Sequence, residues 1–190
     1  MKDLGKKFAI ILLAAVVIPI AIAQDAATKP AAPAPAPSPS QTVLNFWNYM
    51  GRKLTTMAED FPEDKYDFKP NPIQRSFAEQ LIHAAAGVNI FVEIGKGEKP
   101  HLDEPKRSDF KNKAAVVEYV RKAFADGAAL IASKGDGGMN DLSVDPWNNQ
   151  QFRFNEQAWF YIEHAGEHYG QLVVYYRVAG LVPPESRPKK

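Results

Sequence analysis

Apolar residues recur three and four positions apart along four stretches of this chain, and each stretch is closed by residues that break a helix. Val43, Trp47, Met50, Leu54, Met57 and Phe61 share one face of a helix predicted over 41–60. Pro62 and the Pro70-Asn71-Pro72 cluster end it and form a loop. A second helix opens at Ser76-Phe77-Ala78-Glu79, a capping box in which each side chain satisfies an orphan amide of the first turn. It runs through Leu81, Ile82, His83, Ile90 and Phe91 to Gly95 and Gly97. The third, over 110–133, buries Val117, Val120, Phe124 and Ile131 and stops in the Gly-rich segment 134–138. The fourth spans 155–179 and ends at Gly180 and Pro183-Pro184. No stretch sustains the alternation of a half-buried strand, so the predicted class is all-α, a four-helix bundle.

The fourth helix differs from the rest because two of its faces look buried. Gln157, Phe160, Tyr161, His164, His168, Gln171 and Tyr175 form one; Trp159, Ile162, Gly166, Gly170 and Val173 form the other. Only Glu156, Glu163 and Glu167 make a plainly polar strip. Each interior glycine costs about 1 kcal/mol against alanine, so a close neighbour is expected over Gly166 and Gly170, either another helix or a dimer mate. The connection 135–154 is longer than most links inside a domain, and its Trp147 and Phe152 predict that it folds back over the bundle.

Ahead of the bundle, Lys2, Lys6 and Lys7 precede an apolar run from Phe8 to Ala23 that closes on Ala21-Ile22-Ala23. This reads as an export signal over 1–23, too short for the ~20 residues of a spanning helix. A retained anchor is the rival reading. Residues 24–40 are rich in Pro and Ala, a disordered polyproline-like spacer. The stretch 41–187 is the size of one domain. The chain carries a net charge of +1, of which the first 23 residues hold +2, so the exported chain is near neutral. It has no basic stripe of the kind that grips nucleic acid. With no cysteine, neither disulfides nor thiolate ligands are available. Any metal is held by imidazole and oxygen.

Three of the four histidines point to such a site. His164 and His168 lie one helical turn apart on one face, and desolvating two imidazoles together needs a reason. His83, inside the apolar second helix, is the best third ligand, although a lone histidine there is more often a hydrogen-bonded core residue. His101 falls in the Pro-flanked polar stretch 99–105 and reads as exposed loop. Three imidazoles suit a divalent transition metal: zinc, nickel or iron. Gln171 and Tyr175 continue the stripe as positions that orient ligands or substrate. His164-Ala165-Gly166-Glu167-His168 also fits His-x-x-Glu-His, in which the glutamate is a general base. Glu167 is a weak candidate for that role, because it projects onto the charged strip. Glu79, one turn before His83, is already explained by its cap and is a poor fourth ligand.

Taken together, Tyr66-Asp67-Phe68-Lys69-Pro70, the run from Arg75 to His83, the run from His164 to Val173 and Gly180-Leu181-Val182-Pro183-Pro184 resemble the DinB family of metal-binding four-helix bundles, which includes YfiT-type and thiol-transferase relatives. The resemblance covers nearly the whole domain. It implies that His83, His164 and His168 are metal ligands and that the protein can form a homodimer, as such proteins often do. The reaction stays open, since such proteins include thiol S-transferases, isomerases and bundles without an assigned reaction. An exported copy would meet little low-molecular-weight thiol. The expectation is therefore a periplasmic or secreted metal-dependent enzyme, a hydrolase acting on an unknown small molecule. The alternatives are a thiol S-transferase-like enzyme, a non-catalytic metal- or ligand-binding stress or sensor bundle, and a structural bundle with packed histidines.

Overall fold

Four helices, α1 (Pro39–Asp60), α2 (Phe77–Gly95), α3 (Lys113–Gly138) and α4 (Phe154–Val178), make up most of the molecule, with a small antiparallel hairpin, β1 (Leu142–Val144) and β2 (Gln151–Arg153), between the last two. The computed structural model describes residues 33–188. The export signal read over 1–23 and most of the spacer therefore lie outside the described residues. Residues from Ala36 onward form one unit. Among the described residues, no helix is long and apolar enough to cross a membrane.

The stripes expected from periodicity are the core. Val43, Trp47, Met50, Leu54, Met57 and Phe61 are buried, as are Val117, Val120, Phe124 and Ile131. α1 begins two residues early, at Pro39, because proline suits a first turn and Ser38 caps it. Asp136 anchors this end by accepting from the Ser40 amide (2.9 Å) and the Ser38 hydroxyl (2.8 Å). α2 carries the expected capping box, with the Ser76 amide donating to Glu79 Oε2 (2.6 Å) and the Glu79 amide to Ser76 Oγ (3.3 Å). α2 and α4 both end in Schellman motifs. Gly97 and Gly180 supply the positive φ, and the Glu98 and Leu181 amides donate to the carbonyls of Glu93 and Tyr176. α3 runs past its predicted end, but non-helical Gly135 (φ 53°) breaks it inside the Gly-rich segment.

Sequence neighbours are not spatial neighbours here. α1 and α2 both pack chiefly on α3 and on α4, while α1 and α2 scarcely meet, so the order around the bundle is α1-α3-α2-α4. The connections 61–76 and 139–153 therefore cross diagonals of the bundle, which requires their length. Gly127 permits the close approach of α1 and α3: a Cβ there would lie 2.0 Å from the buried Trp47 ring, whose Nε1 donates to the Phe124 carbonyl (2.9 Å). At one end, Phe61 stacks on Phe77 with centroids 3.7 Å apart and meets Tyr176 edge-on.

One expectation about α4 is corrected, and a second is narrowed. It buries one face, not two: Tyr161, Ile162, His168, Leu172, Tyr175 and Tyr176 are buried, while Trp159, Phe160 and Gln171 are exposed. Among the described residues no helix makes the close approach expected over its glycines. A Cβ on Gly166 would find only Met50 Cε, at 4.0 Å, and one on Gly170 nothing within 4 Å.

Candidate metal centre and adjoining cavity

α2 and α4 are spatial neighbours, so residues eighty positions apart in sequence face each other across one seam. His83 comes from α2, His164 and His168 from successive turns of α4, and one ring nitrogen of each lies within 4.8 Å of the others. The Nε2 atoms of His164 and His168 face each other at 3.0 Å. Small Gly87, one turn beyond His83, leaves room for the His164 ring; a Cβ there would come within 3.0 Å of its Cε1. The remaining histidine, His101, is not brought to the cluster. It is exposed, with Nδ1 2.8 Å from Glu93 Oε1, and borders the cavity described below.

The outer nitrogens of two of the rings have partners. Glu104 places Oε2 2.7 Å from His83 Nδ1, which leaves His83 Nε2 for the cluster, and Arg75 lies 3.7 Å from the same oxygen. A carboxylate behind an imidazole fixes its ring and raises its basicity as a ligand. Behind His168, the Gln80 amide nitrogen lies 3.0 Å from Nδ1 and also donates to Gln171 Oε1. With Nδ1 accepting, the His168 Nε2 proton points to His164 Nε2, and the proton left on His164 Nδ1 is buried without a partner. That arrangement leaves no lone pair on His168 Nε2 for a metal. A ligating His168 would carry its proton on Nδ1 instead, and turning over the Gln80 and Gln171 amides together would supply the acceptor and keep the bond between them.

Burial first, then the neighbouring charge of His164 and His83, lowers the His168 pKa to about 3. Burial also lowers that of His164. Burial thus favours the neutral imidazole at both positions, the form that binds a metal. Three imidazole nitrogens converging from two helices fit a divalent transition metal, and the donor type alone admits zinc, nickel or iron. The other candidates sit at greater remove. Gln171 reaches His168 only through Gln80, while the Tyr175 hydroxyl donates to the Arg75 carbonyl and not to a histidine. Glu79 is occupied by its cap and by Lys69 at 3.4 Å. Glu167 is exposed and does not line the cavity.

That cavity, of about 310 Å³, opens on the cluster and is bounded by His83, Gly87, Glu104, Trp147, Phe160 and His164 among others. The connection 139–153 does fold back over the bundle: the turn between β1 and β2 carries Trp147 to the cavity wall. Phe154 instead packs inside the core against Phe91 and leaves the cavity open. Sequence reasoning missed Glu104, Gln80 and Gly87. Glu104 lies in an aperiodic loop with no signal. Gln80 and Gly87 could have been found, as one turn before and one turn after His83 they share its helix face.

Comparison with known proteins gives one family. The profile of the DinB superfamily matches residues 47–172. A DinB-like protein from Bacillus cereus superposes with a TM-score of 0.63 at 15% identity, over 76% of this chain and 95% of that one. A DinB-like protein from Bacillus subtilis gives 0.61 at 17%, over 78% and 99%. A conserved protein from Enterococcus faecalis gives 0.53 at 14%, over 75% and 98%. At these identities the likeness is one of fold. No curated protein matches the chain.

Proposed function

The chain belongs to the DinB superfamily, and from that membership and the geometry of the seam between α2 and α4 we propose that it is an exported metal-dependent enzyme, a hydrolase acting on a small molecule. The observation that carries this reading is the cavity opening on His83 and His164, since packed structural histidines need no access. His83, His164 and His168 would hold a divalent transition metal, which supplies Lewis-acid activation of water or of a substrate's polar bond. Glu104 orients the His83 ring, and Gln80, backed by Gln171, orients His168. Trp147 and Phe160 bind the apolar part of the substrate and keep water from it.

Export rests on the charge and apolar pattern of the first 23 residues. Association with a second copy is supported by the open space over Gly170 and by exposed Phe46 and Trp159, whose rings lie 5.4 Å apart on the α1/α4 side. A second reading, a bundle that binds metal without turnover, is favoured by one observation. Glu104, a carboxylate in contact with the cluster, is already committed to His83 and Arg75 and is not free to act as a base.

Elemental analysis of untagged protein beside His83→Ala and His164→Ala tests the site. About one equivalent of transition metal in wild type, lost in both variants, is expected for a three-imidazole centre. Wild type that holds no metal and cannot be loaded with zinc, nickel or iron would sink the reading. Turnover in a panel of ester, amide and phosphoester substrates, abolished by chelation, separates the enzyme from the binding bundle.

A further inference from the structure

Beyond the histidines, a second chamber of about 210 Å³ shares Trp147, Phe160 and Tyr161 with the first cavity and adds Phe152. Three polar side chains interrupt this aromatic wall. Gln157, on the first turn of α4, is only 6% exposed, and its Oε1 has no hydrogen-bond partner among the described residues. A buried carbonyl without a donor is a standing cost, and a ligand that brings an N–H or O–H to it removes that cost. Asp145 is held at the chamber by the Trp147 and Asn148 amides, which donate to its Oδ1 at 2.7 and 3.3 Å. Its charge reaches inward, adding to burial in raising the Tyr161 hydroxyl pKa. Glu156 is the third group, partly balanced by Arg153 at 3.3 Å.

No lysine or arginine lines the chamber, and Arg153 offsets only Glu156, so an anion would meet the Asp145 carboxylate unopposed. A neutral alcohol would serve Gln157 but leave that field unused. A quaternary ammonium would use the field and the ring faces but bring no N–H to Gln157. A protonated primary amine satisfies all three features. We propose that this chamber recognises the primary ammonium of a small molecule whose apolar or aromatic body lies along Trp147 and Phe160 and whose other end reaches the histidines. This deepens the proposed function, and rests on it, by naming an amine-bearing substrate class.

Calorimetric titration of the protein, with and without added zinc, tests it using phenethylammonium, its trimethylated analogue, phenethyl alcohol and phenylacetate. Phenethylammonium is expected to bind about tenfold or more tighter than the other three, with or without zinc, as a charge-assisted hydrogen bond added to ring contacts implies. Gln157→Leu and Asp145→Asn should each erase most of that preference. Trp147→Ala, at an exposed turn position, should weaken binding about tenfold while leaving the melting temperature unchanged. Equal affinity for the alcohol or the carboxylate, or no binding of phenethylammonium into the millimolar range, overturns the proposal, as does a Trp147→Ala protein that binds like wild type. Equal binding of the trimethylated analogue removes Gln157 from it and overturns the primary-amine assignment. If the metal reading fails, zinc is not taken up, yet the ammonium preference persists; if this proposal fails, the preference is missing whether or not zinc binds.

Discussion

His168 is 5% exposed, with two other imidazoles beside it, and its folded pKa of about 3 lies well below the ordinary 6.5. Between those values the unfolded chain carries a proton on this ring that the folded chain does not. Unfolding is therefore favoured progressively as pH falls through that window, and stability is complete only above about 6.5. His164 shifts in the same direction and adds to the trend. Denaturant melts of metal-free protein should show stability dropping from about pH 7 to about pH 4, with a shallower slope in His168→Gln. Equal slopes would mean that the ring is protonated in the fold at little cost. Behind the cluster, Glu104→Ala should weaken metal binding by about 10–100-fold in competition with a chelator while His83, His164 and His168 remain. An unchanged affinity would show the 2.7 Å contact to His83 to be incidental. The ligand candidates were legible because the helix period places His164 and His168 together. Glu104 was not, because a loop carboxylate has no period and only the packing of the 99–105 stretch on α2 brings it to His83.

At the level of elements, caps and stripes decide the helices, and close approach decides how they pack. Ser76→Ala removes the side chain that caps α2 and should cost about 1 kcal/mol of unfolding free energy by chemical denaturation. Gly127→Ala forces a Cβ to within 2.0 Å of the Trp47 ring and should cost about 1–3 kcal/mol in the same assay. A variant as stable as wild type would show that Trp47 can turn aside without losing its bond to the Phe124 carbonyl. The helices could be read from the chain because each must bury one stripe at a period of 3.6 residues. The hairpin could not. Its strands are three residues long, and β1 turns Leu142 and Val144 outward with Ser143 half-buried, the reverse of the pattern that marks a strand on a core.

For the whole molecule, the open question raised by the chain is what covers the outer face of α4. Sedimentation should find a dimer, and Gly170→Leu should shift it to monomer, because a large side chain there would fill the open space that a second copy would approach. A monomeric wild type would sink that association, and Gly170→Ala would then raise stability by up to about 1 kcal/mol, since nothing lies within 4 Å of the added methyl. By itself the chain determined four helices, the cap that opens α2, the glycine stops, most of the buried stripes and the pairing of His164 with His168, because these follow from local periodicity and backbone chemistry. Only the tertiary structure decided the order α1-α3-α2-α4, which sets α2 against α4 and so joins His83 to the pair. It also decided the crossing of 139–153 that brings Trp147 to the cavity, and the emptiness beside Gly170 where a neighbour was expected. These are contacts between residues far apart along the chain, chosen by how whole helix faces fit, and no stretch of sequence carries them alone.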